Sequence, residues 1–256
     1  MGPEVWTLNL VGAKVNVLSI SEKKNLTNVK KWYLKKKDKI VFDVGCFRGT
    51  FTENFIKNEQ KLGIKSNFFL FDPNPNVKSY IKQLLQNEKV KYFNFALDNS
   101  NTNKKFYLNT FFEPSGSSLN TMVRNDKKWT ISRKLIMQIL SPFKRIGNFS
   151  EINVQTQTLD NFCLSNKIEN IDVLKIDTEG NDLNVLKGAK KLLSENKIKA
   201  IYTEISDTKI NFKEKEKSTI DFLNDYNFDL RKIYRNKTFS FLSGLRVTDN
   251  LFINRN

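Results

Sequence analysis

The sequence predicts an α/β protein in which a mainly parallel sheet carries helices on both faces. Three observations support that expectation. Strand-like and helix-like segments alternate in two blocks, about 39–98 and 154–256; the first strand ends in a glycine turn; and acidic residues stand at the ends of two later strands. A chain of 256 residues with no obvious linker is expected to fold as one domain around one core.

From the N-terminus, Leu26, Val29, Trp32 and Tyr33 recur at helical spacing between Glu22 and Lys37, predicting a helical extension over 1–38 ahead of the core. Lys39 to Val44 is a short β-rich run. Thr50 to Lys61 reads as a helix, Asn67 to Phe71 as a strand, Asn76 to Gln86 as a helix and Val90 to Phe95 as a strand. A long irregular insert follows, about 99–153, with short strands expected at Lys104 to Leu108 and Ile152 to Thr158. Within it, Lys127 to Gly147 holds six basic residues and no acidic one. Leu135, Ile136, Ile139, Leu140 and Phe143 share one face, so this segment predicts a basic amphipathic helix. The second block predicts strands at Ile171 to Ile176 and Ile198 to Ile205, helices at Asp182 to Leu193 and Lys213 to Tyr226, and closing strands at Phe228 to Tyr234 and Arg246 to Ile253.

Composition limits the chemistry. The chain has no histidine, so any proton transfer falls to a carboxylate, Lys, Tyr, Cys, a metal-bound water or the substrate itself. Cys46 and Cys163 are too few for a disulfide framework and lack zinc-site spacing, which fits a reducing cytoplasm. No apolar run approaches the roughly 20 residues needed to span a bilayer, and the stretch Leu8 to Ile20 is interrupted by Asn9, Lys14 and Asn16. A net charge of +16 would attract polyanions or anionic surfaces, although the joint excess of Lys, Asn, Ile and Phe also fits an AT-rich genome and a merely solvated surface. The oligomeric state is not legible.

Three motifs carry chemistry. In Asp43-Val44-Gly45-Cys46-Phe47-Arg48-Gly49, the glycines allow a tight strand-to-helix turn and close approach of a ligand. The spacing is neither G-x-G-x-x-G nor a P-loop. In Phe71-Asp72-Pro73-Asn74-Pro75 an acid follows the second strand, where a carboxylate accepts hydrogen bonds from ribose hydroxyls; Asp72 and Asn74 also suit helix capping. In Lys175-Ile176-Asp177-Thr178-Glu179-Gly180 two carboxylates stand at a strand end facing the same crevice. They are costly to place there unless they bind, cap or titrate.

Taken in order, these segments resemble the FkbM family of class I S-adenosylmethionine-dependent methyltransferases. The resemblance also rests on Asn94-Phe95-Ala96-Leu97, Gly116-Ser117-Ser118-Leu119, Gln157-Thr158-Leu159-Asp160, Val185-Leu186-Lys187-Gly188-Ala189 and Tyr202-Thr203-Glu204-Ile205, and covers about Ile40 to Ser206. It implies a Rossmann-like fold with a seven-stranded sheet and a S-adenosylmethionine site built from Asp43, Gly45, Cys46 and Gly49. Asp72 and Pro73 would sit at the ribose, and Ala96 and Leu97 near the adenine. It further implies methylation of a hydroxyl on a sugar, glycan or other small molecule, with Ser117 and Ser118 as acceptor contacts. Asp177 is then the first candidate for holding or deprotonating that hydroxyl, with Glu179 and Glu204 lining the same strand ends. Where the family usually has Ala-Asn after the first Gly and Glu before Pro-x-Pro, this chain has Cys46-Phe47 and Asp72. The shorter acid keeps the charge and loses reach, and Cys46 is read as a small packed residue. Carboxylates would suit magnesium or manganese, but no metal-ligand set is visible. Two rival functions stay open. One is an RNA or cap 2′-O-methyltransferase, favoured by the charge. The other is a non-catalytic module that meets a polyanion or a membrane surface through 127–147.

Overall fold

A computed structural model describes residues 38–60, 63–109, 117–119, 149–208, 211–235 and 245–255. The expected helices over 22–37 and 127–147 lie outside these residues. Ten strands are described: β1 (Ile40–Val44), β2 (Asn67–Phe71), β3 (Val90–Phe93), β4 (Ala96–Leu97), β5 (Thr102–Asn109), β6 (Phe149–Gln157), β7 (Ile171–Ile176), β8 (Ile198–Thr208), β9 (Phe228–Arg235) and β10 (Leu245–Asn254). Seven form the main sheet in the order β3-β2-β1-β7-β8-β10-β9. All neighbours are parallel except that β10 runs antiparallel to both β8 and β9. This is the Rossmann-like topology of class I methyltransferases, and its order reverses between β1 and β7, where an open α/β sheet leaves a crevice at the strand ends.

The helices are α1 (Thr50–Gln60), α2 (Val77–Tyr80), α3 (Leu159–Ser165), α4 (Asp182–Lys187), α5 (Lys190–Ser194) and α6 (Phe212–Asn224). Alternation along β1 divides them between the two faces. Val41 turns to a core shared with Phe55 of α1, Val77 of α2 and Ile81, whereas Phe42 and Val44 turn to a larger core with Phe162 of α3, Val185 and Leu186 of α4 and Leu223 of α6. In that larger core Phe162 meets the rings of Phe71 and Phe93 edge-on, each at 4.8 Å. Such T-shaped pairs stabilise by about 0.5–1.5 kcal/mol beyond their burial.

The insert is less irregular than the sequence suggests where it is described. β5 and β6 pair antiparallel over eight positions, and β4 adds to β6 in parallel, making a separate three-stranded sheet. The predicted strand over Val90 to Phe95 therefore ends at Phe93, and the chain passes into the second sheet at Ala96.

Two predicted helices are broken. Asn76 to Gln86 divides into α2 and a 3₁₀ turn at Leu84–Gln86, with Ile81 and Leu84 packed over Gly49. Asp182 to Leu193 divides at Gly188-Ala189, because the chain after β4 crosses there. A Cβ on Gly188 would lie 2.1 Å from the carbonyl oxygen of Asp98, and the Gly188 carbonyl accepts from Asp160 N. Helix α3 went unpredicted, although Thr158 caps it by accepting from Asn161 N at 3.2 Å.

Gly188→Ala should therefore cost about 1–3 kcal/mol by overpacking the α4–α5 corner against Asp98. A lower urea midpoint with unchanged slope would register it; an unchanged midpoint would show that the corner yields.

Candidate functional site

The crevice opens where β2, β1 and β7 end side by side. Gly45 N donates to Phe71 O at 2.9 Å and Asp177 N to Val44 O at 3.0 Å, so the three strand-end turns are stitched together by main chain. Gly45 has φ +72°, and a Cβ there would fall 1.8 Å from Asp177 O. Only glycine lets the first turn lie this close to the third. A cavity of about 220 Å³ follows. Its apolar lining comes from Phe95, from Ala96, Leu97 and Phe106 of the second sheet, and from Leu119, which packs with Ala96 and Phe106. Its polar lining comes from Asp72, Asn74, Asp177, Glu179 and Asn181.

Beneath the first turn lies Lys175, on a strand otherwise rich in apolar residues and only 6% exposed. It is in register with Asp43 across the β1–β7 pair. Its ammonium stands 3.1 Å from Asp43 Oδ1 and 3.4 Å from Asp177 Oδ2, and donates to Gly45 O at 2.9 Å. The other oxygen of Asp43 accepts from Thr52 Oγ1 at 2.8 Å. Burial opposes the charge on Lys175, but the carboxylates of Asp43 and Asp177 outweigh it and raise its pKa, so it is a fixed cation.

Asp72 follows β2 and is almost fully buried. Its Oδ2 accepts from Phe47 N and its Oδ1 from Asn74 N, each at 3.0 Å. Tyr92 Oη and Asn94 Nδ2 both donate to its main-chain carbonyl at 2.9 Å, fixing the turn. Burial pushes the carboxyl up to about 6, against the two main-chain N–H groups and the more distant Lys175, which lower it. Each oxygen keeps a lone pair for a ligand. The same burial, with the charges of Asp72 and Asp43, raises the Cys46 thiol well above its usual range and keeps it protonated.

Further carboxylates gather beside Asp177. Glu204 on β8 is paired in register with Asp249 on β10. Burial, then the charges of Asp177, Glu179, Asp182 and Asp249, raise the Glu204 carboxyl well above its usual range. Burial and Asp177 push Asp249 up to about 6, opposed by a hydrogen bond from Tyr202. Glu204 is therefore held toward its neutral, hydrogen-bond-donating form.

Of the residues assigned a cofactor role from sequence, Gly45, Asp72, Pro73, Ala96 and Leu97 line the cavity. Asp43, Cys46 and Gly49 do not. Asp43 is the buried partner of Lys175, Cys46 packs in the α1-side core, and Gly49 lies under Leu84 and Ile81. Asp177 and Glu179 line the cavity, whereas Glu204 does not, although it lies close enough to feel the charge of Asp177. Ser117 lines it too; Ser118 is buried and turned away, donating to the carbonyls of Thr178 and Glu179. Phe47, Asn74, Phe95, Phe106, Leu119 and Asn181 also line the cavity without having been assigned. For Lys175 a signal existed: a lysine inside an apolar strand requires a buried counter-charge. For Phe106 none did, because it arrives through the second sheet. Among the described residues no group of three or more His, Cys, Asp or Glu is arranged to hold a metal ion, and no helix is long and apolar enough to cross a membrane.

A family model described as "Methyltransferase FkbM domain" matches residues 43–230. The chain is 26% identical over 180 residues to the 2-O-methyltransferase NoeI of Sinorhizobium fredii (strain NBRC 101917 / NGR234), an alignment covering 69% of this chain and 67% of that protein. Among solved structures it is similar to the methyltransferase FkbM from Methylobacillus flagellatus KT, with TM-score 0.47 and 12% identity over 98% of this chain, and it spans 58% of that chain. It is also similar to M. jannaschii TYW2 in complex with AdoMet, with TM-score 0.39 and 11% identity over 93% of this chain and 78% of that one.

Replacing Lys175 by Met should destabilise the fold by about 3–5 kcal/mol, since it strands the buried Asp43 carboxylate. Adding Asp43→Asn should recover a large part of the loss. Urea denaturation of both variants checks this; equal midpoints for the single and double variants would refute the coupling.

Proposed function

Since the chain belongs to the FkbM methyltransferase family, we propose that it transfers the methyl group of S-adenosylmethionine to a hydroxyl oxygen of a neutral sugar or glycan. The observation that carries this reading is the charge of the cavity wall. In a chain of net charge +16 the described lining residues include Asp72, Asp177 and Glu179 but no Lys or Arg. A wall of that sign repels phosphate and suits a neutral acceptor whose hydroxyls donate to carboxylates. That the 2-O-methyltransferase NoeI is a relative supports oxygen as the acceptor atom.

The residues fit the cofactor. Asp72 has two lone pairs left for ribose hydroxyls, and Phe95, Ala96, Leu97, Phe106 and Leu119 make an apolar slot suited to a flat base. The Gly45-to-Phe47 turn borders the remaining space. When bound, the sulfonium supplies an electrophilic methyl carbon. What this chain's residues must do is align the acceptor oxygen and manage its proton. Asp177, its side chain 39% exposed and its Oδ2 3.4 Å from Lys175, is the group to accept the acceptor's hydrogen bond and proton. Glu179 holds a neighbouring hydroxyl, and Ser117 contributes a neutral contact. Glu204, kept toward its neutral form by burial and the charge of Asp177, is suited to donate a hydrogen bond rather than to act as the first base.

An RNA acceptor would have to bring phosphates to this acidic lining; steeply salt-dependent RNA binding by the protein would be its mark.

Two measurements test the reading. Calorimetry should show S-adenosylhomocysteine binding with an affinity that is flat above about pH 7 and falls towards ten-fold per unit below about pH 6. The carboxylate form of Asp72 makes the ribose bonds, and its raised pKa places their loss there as pH falls. Asp72→Asn should bind more weakly at pH 7.5 and lose this slope. Absence of binding to folded protein would end the proposal. Second, methyl-tritiated S-adenosylmethionine should label members of a panel of malto-, cello- and chito-oligosaccharides but not RNA; labelling of RNA alone would reverse the choice of acceptor.

A further inference from the structure

The turn that follows β7 adopts a conformation its sequence does not favour. Glu179 has φ +51° and Gly180 φ +96°, two consecutive left-handed residues of which only one is glycine. A glutamate rarely holds this conformation unless its surroundings impose it.

The polar main-chain groups of the turn are captured from three directions. Asp182, four residues on, accepts locally: Oδ1 from Thr178 N at 3.0 Å and from the Thr178 hydroxyl at 3.1 Å, Oδ2 from Gly180 N at 3.2 Å. The carbonyls are held from afar. Ser118 Oγ lies 2.9 Å from Glu179 O and 3.2 Å from Thr178 O, and Lys215 Nζ of α6 donates to Gly180 O at 2.9 Å. Three consecutive carbonyls are thus engaged by side chains 35 to 61 residues distant in sequence. Burial raises the carboxyl of Asp182 above its usual range, and the Thr178 amide and then the charge of Lys215 oppose that rise.

Ser118 is itself anchored. Tyr107 N donates to Ser118 O at 2.9 Å and Ser118 N to Tyr107 O at 3.2 Å, forming a bridge to β5. Its neighbours Ser117 and Leu119 line the cavity while Ser118 faces the turn. One three-residue segment therefore lines the cavity and latches the turn that carries Asp177 and Glu179.

We infer that Ser118 and Lys215 are positioning residues: they hold the Asp177–Asn181 turn in its left-handed form, so that the Glu179 carboxylate stays in the cavity beside the acceptor wall. This rests on the reading of the cavity as the site of methyl transfer. The sequence suggested acceptor contact for Ser118; its geometry assigns it to the turn.

The test compares Ser118→Ala, Ser118→Thr, Lys215→Met and Lys215→Arg in the full chain. Ser118→Ala and Lys215→Met should reduce kcat on a labelled oligosaccharide by about 10- to 100-fold, the scale set by ångström-sized misplacement. KM for S-adenosylmethionine should stay within about two-fold of wild type, and the conservative Ser118→Thr and Lys215→Arg should restore most of kcat. Amide hydrogen exchange supplies a readout independent of turnover. The amides of Thr178 and Gly180 should exchange at least about ten-fold faster in the two deleting variants, with β1 and β7 unchanged. Unchanged exchange and unchanged kcat would overturn the inference, as would a kcat loss that Ser118→Thr and Lys215→Arg leave in place. If wild-type protein labels no acceptor, it is the proposed function that fails, and exchange alone decides the role of the two latches.

Discussion

A single buried ammonium organises this site. Lys175 lies on β7 directly across from Asp43 on β1, and from there reaches the carbonyl of Gly45 and the carboxylate of Asp177. Withdrawing a cation from water costs several kcal/mol, which only close counter-charges and hydrogen bonds offset. Three such partners surround Lys175, and each belongs to a different part of the site: Asp43 to the strand beneath, Gly45 to the first turn, Asp177 to the third. Satisfying the lysine therefore brings together the turns that bound the cavity. It also explains why Asp43 is buried where a ligand contact was expected.

The second constraint is electrostatic. With no histidine in the chain, the site relies on carboxylates whose neighbours set their protonation. Asp177 is half exposed and balanced by Lys175, whereas burial and then the charge of Asp177 raise the carboxyls of Glu204 and Asp249. In the proposed reaction the same residue type would serve as hydrogen-bond acceptor at Asp177 and as neutral donor at Glu204. The wall stays acidic although the chain as a whole is strongly basic, so net charge is a poor guide to what enters the cavity.

The second sheet closes the site from the other side. The chain leaves the main sheet after β3 and pairs with β6 as β4, which brings Ala96 and Leu97 to the cavity together with Phe106 and Leu119. The crossing at Asp98 accounts for the glycine at the α4–α5 corner, because any side chain at 188 would collide with that carbonyl. The break in the predicted helix and the apolar cavity wall are two results of one chain crossing.

The sequence by itself determined the alternation of strands and helices, the glycine turn, and the acids at the ends of β2 and β7. Each is a local property: side-chain periodicity, the freedom of Gly45 to take φ +72°, and the cost of placing Asp72 and Asp177 at strand ends without a use. Strands β2 and β7 have the bounds their sequence predicts for that reason. Tertiary structure decided which acids face the cavity. Asp43 and Asp72 look alike in sequence, each near the end of a strand, but register with Lys175 turns one to a buried ion pair while the turn after β2 leaves the other at the cavity. It also decided the role of Ser118, the break at Gly188 and the pairing of Glu204 with Asp249, since those depend on contacts 60, 90 and 45 residues apart along the chain. Periodicity carries no information about which distant strand will lie alongside, so these features became legible only once the sheets were assembled.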